Sequence, residues 1–194
     1  MTRLTKSDLR EQLREQLRRV DAAARAEAST ALRERVRQDP IWQAARAVLL
    51  FAPRADEPDI WPLVRDALNE GKLVALPSFD PRTGTYGARQ VRDLAEDLVT
   101  GQFGVREPTR GCPEVLLATL DLVLVPGLGF TLIGGRLGRG GGFYDRLLAA
   151  TEAVRIGVGL DEQIVPWLPL EPHDVTLHSI ITPSATHTGR GHLV

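Results

Sequence analysis

The sequence has a single cysteine, Cys112, and this scarcity excludes two kinds of site. A disulfide within the chain needs two cysteines, and a zinc site built on thiolates needs several. No neighbouring group would activate the thiol, so we interpret Cys112 as a small packing residue. The histidines lack cysteine support, and two of them lie close to the C-terminus, so they do not predict a zinc site: His173, His178, His187 and His192.

Long apolar runs are also absent. No stretch approaches the roughly 18 apolar residues of a membrane-spanning helix. Segment 1–19 is charged and amphipathic, without the apolar core of a secretory signal. The net charge of −1 gives no bulk attraction to nucleic acid or to an anionic membrane. We therefore expect a cytoplasmic protein, a monomer or weak dimer, whose partner is a small molecule rather than a nucleic acid or a membrane.

What the chain does contain is alternating helix and strand patterns. Apolar residues recur every three or four positions from Leu9 to Val36, which predicts one long helix, capped at Thr5 or Ser7 and ended near Pro40. Shorter periodic segments predict further helices over 62–70, 93–100 and 144–150. A turn-rich segment predicts a hairpin over 79–90. Apolar runs predict buried strands at 47–51, 73–77, 121–125, 155–159 and 179–182.

Strands apolar on both faces that alternate with helices predict an α/β fold with a mainly parallel sheet. The chain shows no repeat and no linker long enough to separate two domains. We expect one domain over 1–183, followed by a mobile C-terminal tail over 184–194 that is rich in Thr, Gly and His.

The glycine-rich run between Pro126 and Asp145 is the most informative segment. It starts where a predicted strand ends and finishes where a predicted helix begins, which is where α/β proteins bind ligands. Glycines can adopt positive φ and leave the backbone bare, so consecutive amides can point at an anion. Arg136 and Arg139 add forked donors for phosphate oxygens. The spacing is neither a Walker A loop nor a dinucleotide fingerprint. A flexible surface loop is the alternative, and the two arginines argue against it.

The residues Arg136–Asp145, preceded by Val125–Phe130, resemble the nucleotide loop of the 5-formyltetrahydrofolate cyclo-ligase family. Weaker similarities follow in the same order along the chain, at Lys6–Arg10, Glu57–Ile60, Phe103–Pro108, Gln163, Pro166 and His173-Asp174. The resemblance thus covers nearly the whole sequence.

This resemblance implies a three-layer α/β/α sandwich similar to sugar-phosphate isomerases and CoA transferases. It implies an enzyme that converts 5-formyltetrahydrofolate, with or without a polyglutamate tail, and ATP into 5,10-methenyltetrahydrofolate, ADP and phosphate, with Mg²⁺. Phosphoryl transfer to the formyl oxygen makes it a leaving group, and N10 then closes the ring. The protein has to orient two ligands and neutralise phosphoryl charge.

The same resemblance assigns roles to residues. ATP would contact Lys6, Arg10, Gly135, Arg136, Leu137, Gly138, Arg139, Gly140, Gly141, Gly142 and Phe143. Arg139 and Tyr144 would be catalytic, Glu57, Ala52 and Tyr144 would contact the folate, and Asp145 and Asp174 would bind the metal. Ordinary alternatives remain: a solvated helix face for Lys6 and Arg10, packing for Tyr144, and helix-end or turn-capping carboxylates for Asp145 and Asp174.

Some positions depart from the family pattern. Thr131 stands where an acidic residue is common, Phe143 replaces a tyrosine, Ile60 replaces a threonine, and 79–90 lacks the expected methionine stretch. Thr131 and the altered segment 79–90 keep one alternative open, a non-catalytic folate- or nucleotide-binding homologue. The other alternative is a sugar-phosphate isomerase-like enzyme, which would share the fold and the glycine loops but would not by itself account for Lys6, Arg10 and the glycine loop as a joint ATP site.

Overall fold

The computed structural model describes residues 4–101 and 104–189. The described helices are α1 Lys6–Arg19, α2 Ala22–Gln38, α3 Pro40–Ala44, α4 Trp61–Asn69 and α5 Phe143–Ala149. The strands are β1 Ala47–Leu49, β2 Leu73–Asp80, β3 Thr85–Val91, β4 Leu98–Thr100, β5 Arg106–Pro108, β6 Glu114–Val115, β7 Leu122–Pro126, β8 Gly129–Phe130, β9 Arg136–Leu137, β10 Val154–Val158, β11 Ser179–Ile181 and β12 Thr186–Thr188. None of the helices in these ranges is long and apolar enough to cross a membrane.

The main sheet has the order β12-β11-β10-β7-β1-β2-β3-β6. Its five central strands, from β11 to β2, run parallel, while β12, β3 and β6 pair antiparallel at the two sides. The central strands are buried on both faces, which is why they read as continuous apolar runs in the sequence. The predicted mainly parallel sheet is confirmed, as is the hairpin formed by β2 and β3.

Helices cover the sheet on both faces. On one face Leu32 of α2, Trp42 of α3 and Leu63 of α4 pack into one apolar cluster with the strands. On the other face Leu147 and Leu148 of α5 join a second cluster. This arrangement confirms the three-layer α/β/α sandwich.

The expected single helix from Leu9 to Val36 is wrong, because two helices occupy this segment. α1 ends at Arg19, and Asp21 caps α2 by accepting a hydrogen bond from the amide of Ala24 at 2.8 Å. The guanidinium of Arg25 donates to the carbonyl of Leu17 at 2.7 Å, which satisfies the end of α1. The break frees α1 to pack separately, with its leucines against the segments that follow β7 and β10: Leu9, Leu13 and Leu17 against Leu128, Leu137 and Leu160.

The short helix predicted over 93–100 is also wrong. Two carboxylates form turns there instead: Asp97 accepts from the amides of Arg92 and Asp93, and Asp93 accepts from those of Ala95 and Glu96. Aspartates that bond nearby amides compete with helix formation. The chain leaves these turns as β4, which pairs with β5.

The mobile tail over 184–194 stays a prediction, although part of this segment forms a strand at the edge of the sheet. Within it, β12 pairs antiparallel with β11, and Gly189 packs against the carbonyl of Leu177. The remainder of that segment, 190–194, lies outside the described residues, so the prediction is not tested there. The Thr- and His-rich composition suggested a solvated tail, but threonine is also a good strand residue.

Candidate functional site

A cavity of about 680 Å³ opens where β1 and β7 end, next to the segments that follow them. One side, the loop wall, consists of α1 and residues 136–145. The other side, the hairpin wall, consists of residues 51–57, the part of the β2–β3 hairpin near Pro77 and Tyr86, and β5. Lining residues include most of those predicted for the site: Lys6, Arg10, Ala52, Glu57, Arg136, Leu137, Gly138, Arg139, Gly140, Gly141, Gly142, Phe143, Tyr144, Asp145 and Asp174.

The glycine run forms an open cradle in the loop wall. Within the described parts of the chain, the amides from Gly138 to Gly142 donate to no protein acceptor. Gly140 and Gly142 have φ of 108° and 62°, which side-chain-bearing residues rarely adopt. Consecutive free amides of this kind bind anionic oxygens.

Two arginines of α1 hold this cradle from behind. Arg10 donates from Nε to the carbonyl of Gly138 at 2.9 Å, and Arg14 donates to that of Arg139 at 3.2 Å. Because the carbonyls are occupied by guanidinium groups, positive charge accumulates behind the amides. Sequence reasoning missed Arg14, although its position one turn after Arg10 on the same helix face could have indicated it.

Arg136 and Asp145 form a bonded pair at the base of the loop wall. The Arg136 guanidinium donates to Oδ1 of Asp145 at 2.7 Å and to the carbonyl of Pro126 at 3.2 Å. It also lies 5.6 Å from the centre of the Tyr144 ring. The half-buried Tyr144 has its pKa raised mainly by burial, so its phenol stays protonated at neutral pH.

Arg139 joins the two walls. Its guanidinium donates to Oε1 of Glu57 at 3.0 and 3.1 Å and to Oδ1 of Asp56 at 2.7 Å. Burial raises the pKa of Glu57, with Arg139 opposing the shift. Burial lowers the pKa of Arg139, but Asp56 and Glu57 outweigh this and raise it overall. The residue predicted for ATP is thus bonded to the residue predicted for the folate.

Aromatic rings and a second carboxylate complete the hairpin wall. The rings of Phe79, Tyr86 and Phe143 lie 5.0 to 6.0 Å apart between centres, so Phe143 takes the place of the expected tyrosine in a packed cluster. Glu107 accepts from the hydroxyl of Tyr86 at 3.2 Å. Burial, and then Glu107, raises the pKa of Tyr86. Neither Tyr86 nor Glu107 was assigned a role from the sequence.

Lys6 and the predicted metal ligand Asp174 are bonded to one another. Lys6 Nζ lies 2.7 Å from Oδ2 of Asp174 and 2.6 Å from Oε2 of Glu171. Burial raises the pKa of Asp174, but Lys6 outweighs it and holds the value below its usual range. Glu171, His173 and Asp174 bring ligand atoms within 4.8 Å of one another, and Asp145 is not a member of this group. The two predicted metal-binding aspartates therefore belong to separate clusters.

Gly135 does not line the cavity, which does not support its predicted contact with ATP. It is buried in the turn between β8 and β9, where its amide donates to Oγ1 of Thr131 at 3.0 Å. Thr131 is itself buried and serves this turn. Ile60 lies in the core beside α4. Thus Thr131 and Ile60, two departures from the family pattern, have structural roles.

Together, the fold and the cavity define an α/β protein with a glycine-rich loop of open backbone amides at the carboxyl ends of parallel strands. The model of the 5-formyltetrahydrofolate cyclo-ligase family matches residues 3–183, and the chain belongs to this family.

Individual relatives agree with this assignment. The 5-formyltetrahydrofolate cyclo-ligase of Mycolicibacterium smegmatis is 35% identical over 190 residues, covering 94% of this chain and 96% of that protein. The enzyme of that name from Escherichia coli is 34% identical over 148 residues, covering 72% and 79%. The NMR structure of Aquifex aeolicus 5,10-methenyltetrahydrofolate synthetase superposes with a TM-score of 0.87 at 27% identity, covering 98% of this chain and 96% of that one.

Proposed function

We propose that this chain catalyses the ATP-dependent cyclisation of 5-formyltetrahydrofolate to 5,10-methenyltetrahydrofolate, with release of ADP and phosphate. The names of its relatives support the reaction, and the open row of amides from Gly138 to Gly142 is the observation that carries it. ATP would supply the phosphoryl group that turns the formyl oxygen into a leaving group. Free amides beside arginines suit phosphate oxygens, whose charge they would neutralise.

The loop wall would bind the phosphates. Arg10 and Arg14 are bonded to loop carbonyls, so their role would be to hold the cradle in shape and to contribute charge. Arg139 sits between the cradle and Glu57 and would reach a transferred phosphoryl group at the junction of the two walls. Lys6 would approach the same phosphates from the start of α1.

The hairpin wall would bind the folate. Ala52 and Glu57 line the cavity there, and the rings of Tyr86 and Phe143, backed by Phe79, offer an apolar surface to the flat pteridine ring. Tyr144 would act as a hydrogen-bond donor to the formyl oxygen. Its phenol is protonated, and among the described residues its hydroxyl has no acceptor.

Mg²⁺ would bind with the ATP phosphates and would supply positive charge for the transferred group. Hard cations favour carboxylate oxygens, and Glu171 and Asp174 line the cavity close together. Lys6 holds both of these carboxylates and Arg136 holds one oxygen of Asp145, so a bound Mg²⁺ would replace a basic side chain at either place. We also propose a cytoplasmic monomer or weak dimer, which cell fractionation and light scattering would test.

The test is the absorbance of the methenyl product during incubation with 5-formyltetrahydrofolate and Mg²⁺, with and without ATP. We expect a rise that requires ATP. Absence of the rise rejects the ligase activity, and folate binding without it identifies a non-catalytic homologue.

A further inference from the structure

Glu107 in β5 is a buried carboxylate that the proposed reaction leaves without a role. Its side chain lines the cavity, and the residue is 6% exposed. Across residues 4–101 and 104–189, no basic side chain lies within ion-pair distance of it, whereas the equally buried Glu57 has Arg139. An unpaired buried carboxylate opposes folding, so such groups are expected where a ligand uses them.

The carboxylate is held in place from three directions. The amide of Phe79 donates to Oε2 at 3.0 Å, and the hydroxyl of Tyr86 donates to Oε1 at 3.2 Å. On the third side, Gly101 makes room for the side chain. A Cβ at Gly101 would lie 2.5 to 2.9 Å from the Glu107 side-chain carbons, closer than such atoms approach. The side chain is therefore fixed before any ligand arrives.

Counting hydrogen bonds shows what the two glutamates can still accept. Among residues 4–101 and 104–189, each Glu107 oxygen receives one neutral donor, and a carboxylate oxygen accepts about two hydrogen bonds. With respect to this part of the chain, both oxygens have capacity left. Glu57 differs, because its Oε1 already receives two bonds from Arg139, and its Oε2 receives the amide of Arg54 at 2.9 Å. Of the two, Glu107 is better suited to a pair of parallel N–H donors.

We infer that Glu107 binds the substrate's pteridine ring, with its two oxygens accepting the 2-amino group and the adjacent ring N–H. The inference rests on the proposed function, because it takes 5-formyltetrahydrofolate as the ligand. It assigns recognition of the ring to a residue in Phe103–Pro108, one of the segments that resemble the family, whereas the resemblance named Glu57 as a folate contact. Glu57 then serves chiefly to position Arg139.

The experiment measures calorimetric affinities, without ATP, for two ligands: 5-formyltetrahydrofolate and its analogue with methyl in place of the 2-amino group. The variants are Glu107→Gln, Glu57→Gln, and Glu114→Gln as a matched control, since Glu114 is an exposed glutamate on β6 outside the cavity. Glu107→Gln replaces one acceptor oxygen with a donor while keeping the side-chain volume. We expect it to weaken 5-formyltetrahydrofolate binding by about tenfold. We expect the same substitution to weaken binding of the analogue by less than about threefold, because the analogue lacks one of the two N–H donors.

The outcomes separate the inference from the proposed function. If the unmodified protein binds neither ligand, the proposed function fails. If Glu107→Gln weakens both ligands equally, or neither, Glu107 only braces Phe79 and Tyr86, and the inference is overturned. If Glu107→Gln does not fold, the Glu57→Gln variant provides the test. The inference requires that this variant still binds 5-formyltetrahydrofolate more tightly than the analogue. If the variant has lost that preference, the ring is recognised by Glu57 and the inference is overturned.

Discussion

The two walls of the cavity present different chemical groups, backbone amides in one and side chains in the other. In the loop wall the groups available to a ligand are backbone amides of consecutive residues, 138–142, supported by arginines from α1. In the hairpin wall they are carboxylates and rings from segments far apart in the chain, such as Glu57, Tyr86 and Glu107. A site made of backbone depends on local conformation, and one made of side chains depends on tertiary packing. The two walls should therefore fail in different ways when they are altered.

The largest effect is expected from Gly140→Val, which distorts the backbone of the loop wall. Gly140 has φ of 108°, a conformation that a β-branched residue strongly disfavours, so the amide row must shift. A shift of this kind near reacting groups reduces turnover by about 100-fold. Steady-state assays with ATP and 5-formyltetrahydrofolate measure it.

Gly84→Val is the matched control for that substitution. Gly84 has φ of 68° in the turn between β2 and β3, and the position that a Cβ would occupy there has no neighbouring atom within 4 Å. It carries comparable backbone strain away from the amide row, so we expect lower stability but turnover within about twofold of the unmodified enzyme. Equal losses of turnover in both variants would mean that the amide row has no special role.

Arg139→Ala separates the walls at their junction. It leaves the buried Glu57 without its cation, which is expected to lower the free energy of unfolding by about 3 kcal/mol. Urea denaturation measures this. Arg82→Ala removes an 82% exposed partner of Asp80 and should change stability by less than about 0.5 kcal/mol. Similar values for the two variants would contradict a buried, stabilising link between the walls.

Tyr144→Phe tests the chemistry rather than the architecture. Removing the hydroxyl takes away the proposed donor to the formyl oxygen, so turnover should fall at least about tenfold while stability and both ligand affinities stay nearly constant. Tyr86→Phe is the comparison, because its hydroxyl is bonded to Glu107, and its loss should act mainly on stability and folate affinity. Unchanged turnover in Tyr144→Phe would identify Tyr144 as a packing residue.

The smallest effect is expected at the start of α1, through the Lys6–Asp174 pair. The pKa of Asp174 is lower in the folded protein than its ordinary value near 3.9, so the pair stabilises the fold above about pH 4. This contribution is lost as the pH falls through the folded-state pKa. Asp174→Asn should therefore be less stable than the unmodified protein at pH 7, by no more than about 1 kcal/mol, and the difference should narrow as the pH falls below about 4. Urea midpoints measured from pH 7 downward test this, and a difference that does not narrow would contradict the ion-pair explanation.

The contrast between the walls also explains which parts of the molecule the sequence predicts. Strands buried on both faces produce unbroken apolar runs, so the parallel sheet could be predicted, and adjacent glycines made the cradle visible. The helix break at Asp21 was hidden, because Leu17, Val20 and Ala24 keep the helical period while the cap and Arg25 end it. The turns at Asp93 and Asp97 likewise depend on side chains that accept backbone amides.

The hairpin wall was predicted less completely for a physical reason. Glu107 meets Phe79 and Tyr86 through pairing of distant segments, and no local pattern encodes that meeting. The bond between Arg139 and Glu57 spans 82 positions and joins residues that the sequence assigned to different ligands. The turn at Gly135 could not be predicted either, because a glycine that fits a tight turn and one that bares an amide look alike in sequence.

The edge strand β12 has a practical consequence for anyone shortening this protein. A chain cut after residue 183 would lose Thr186–Thr188 and leave the backbone donors and acceptors of β11 unpaired beside the apolar Ile180 and Ile181. Such an edge can accept a strand from a neighbouring molecule. We expect a protein trimmed there to aggregate during concentration, so β12 should be retained when the C-terminus is redesigned for crystallisation or tagging.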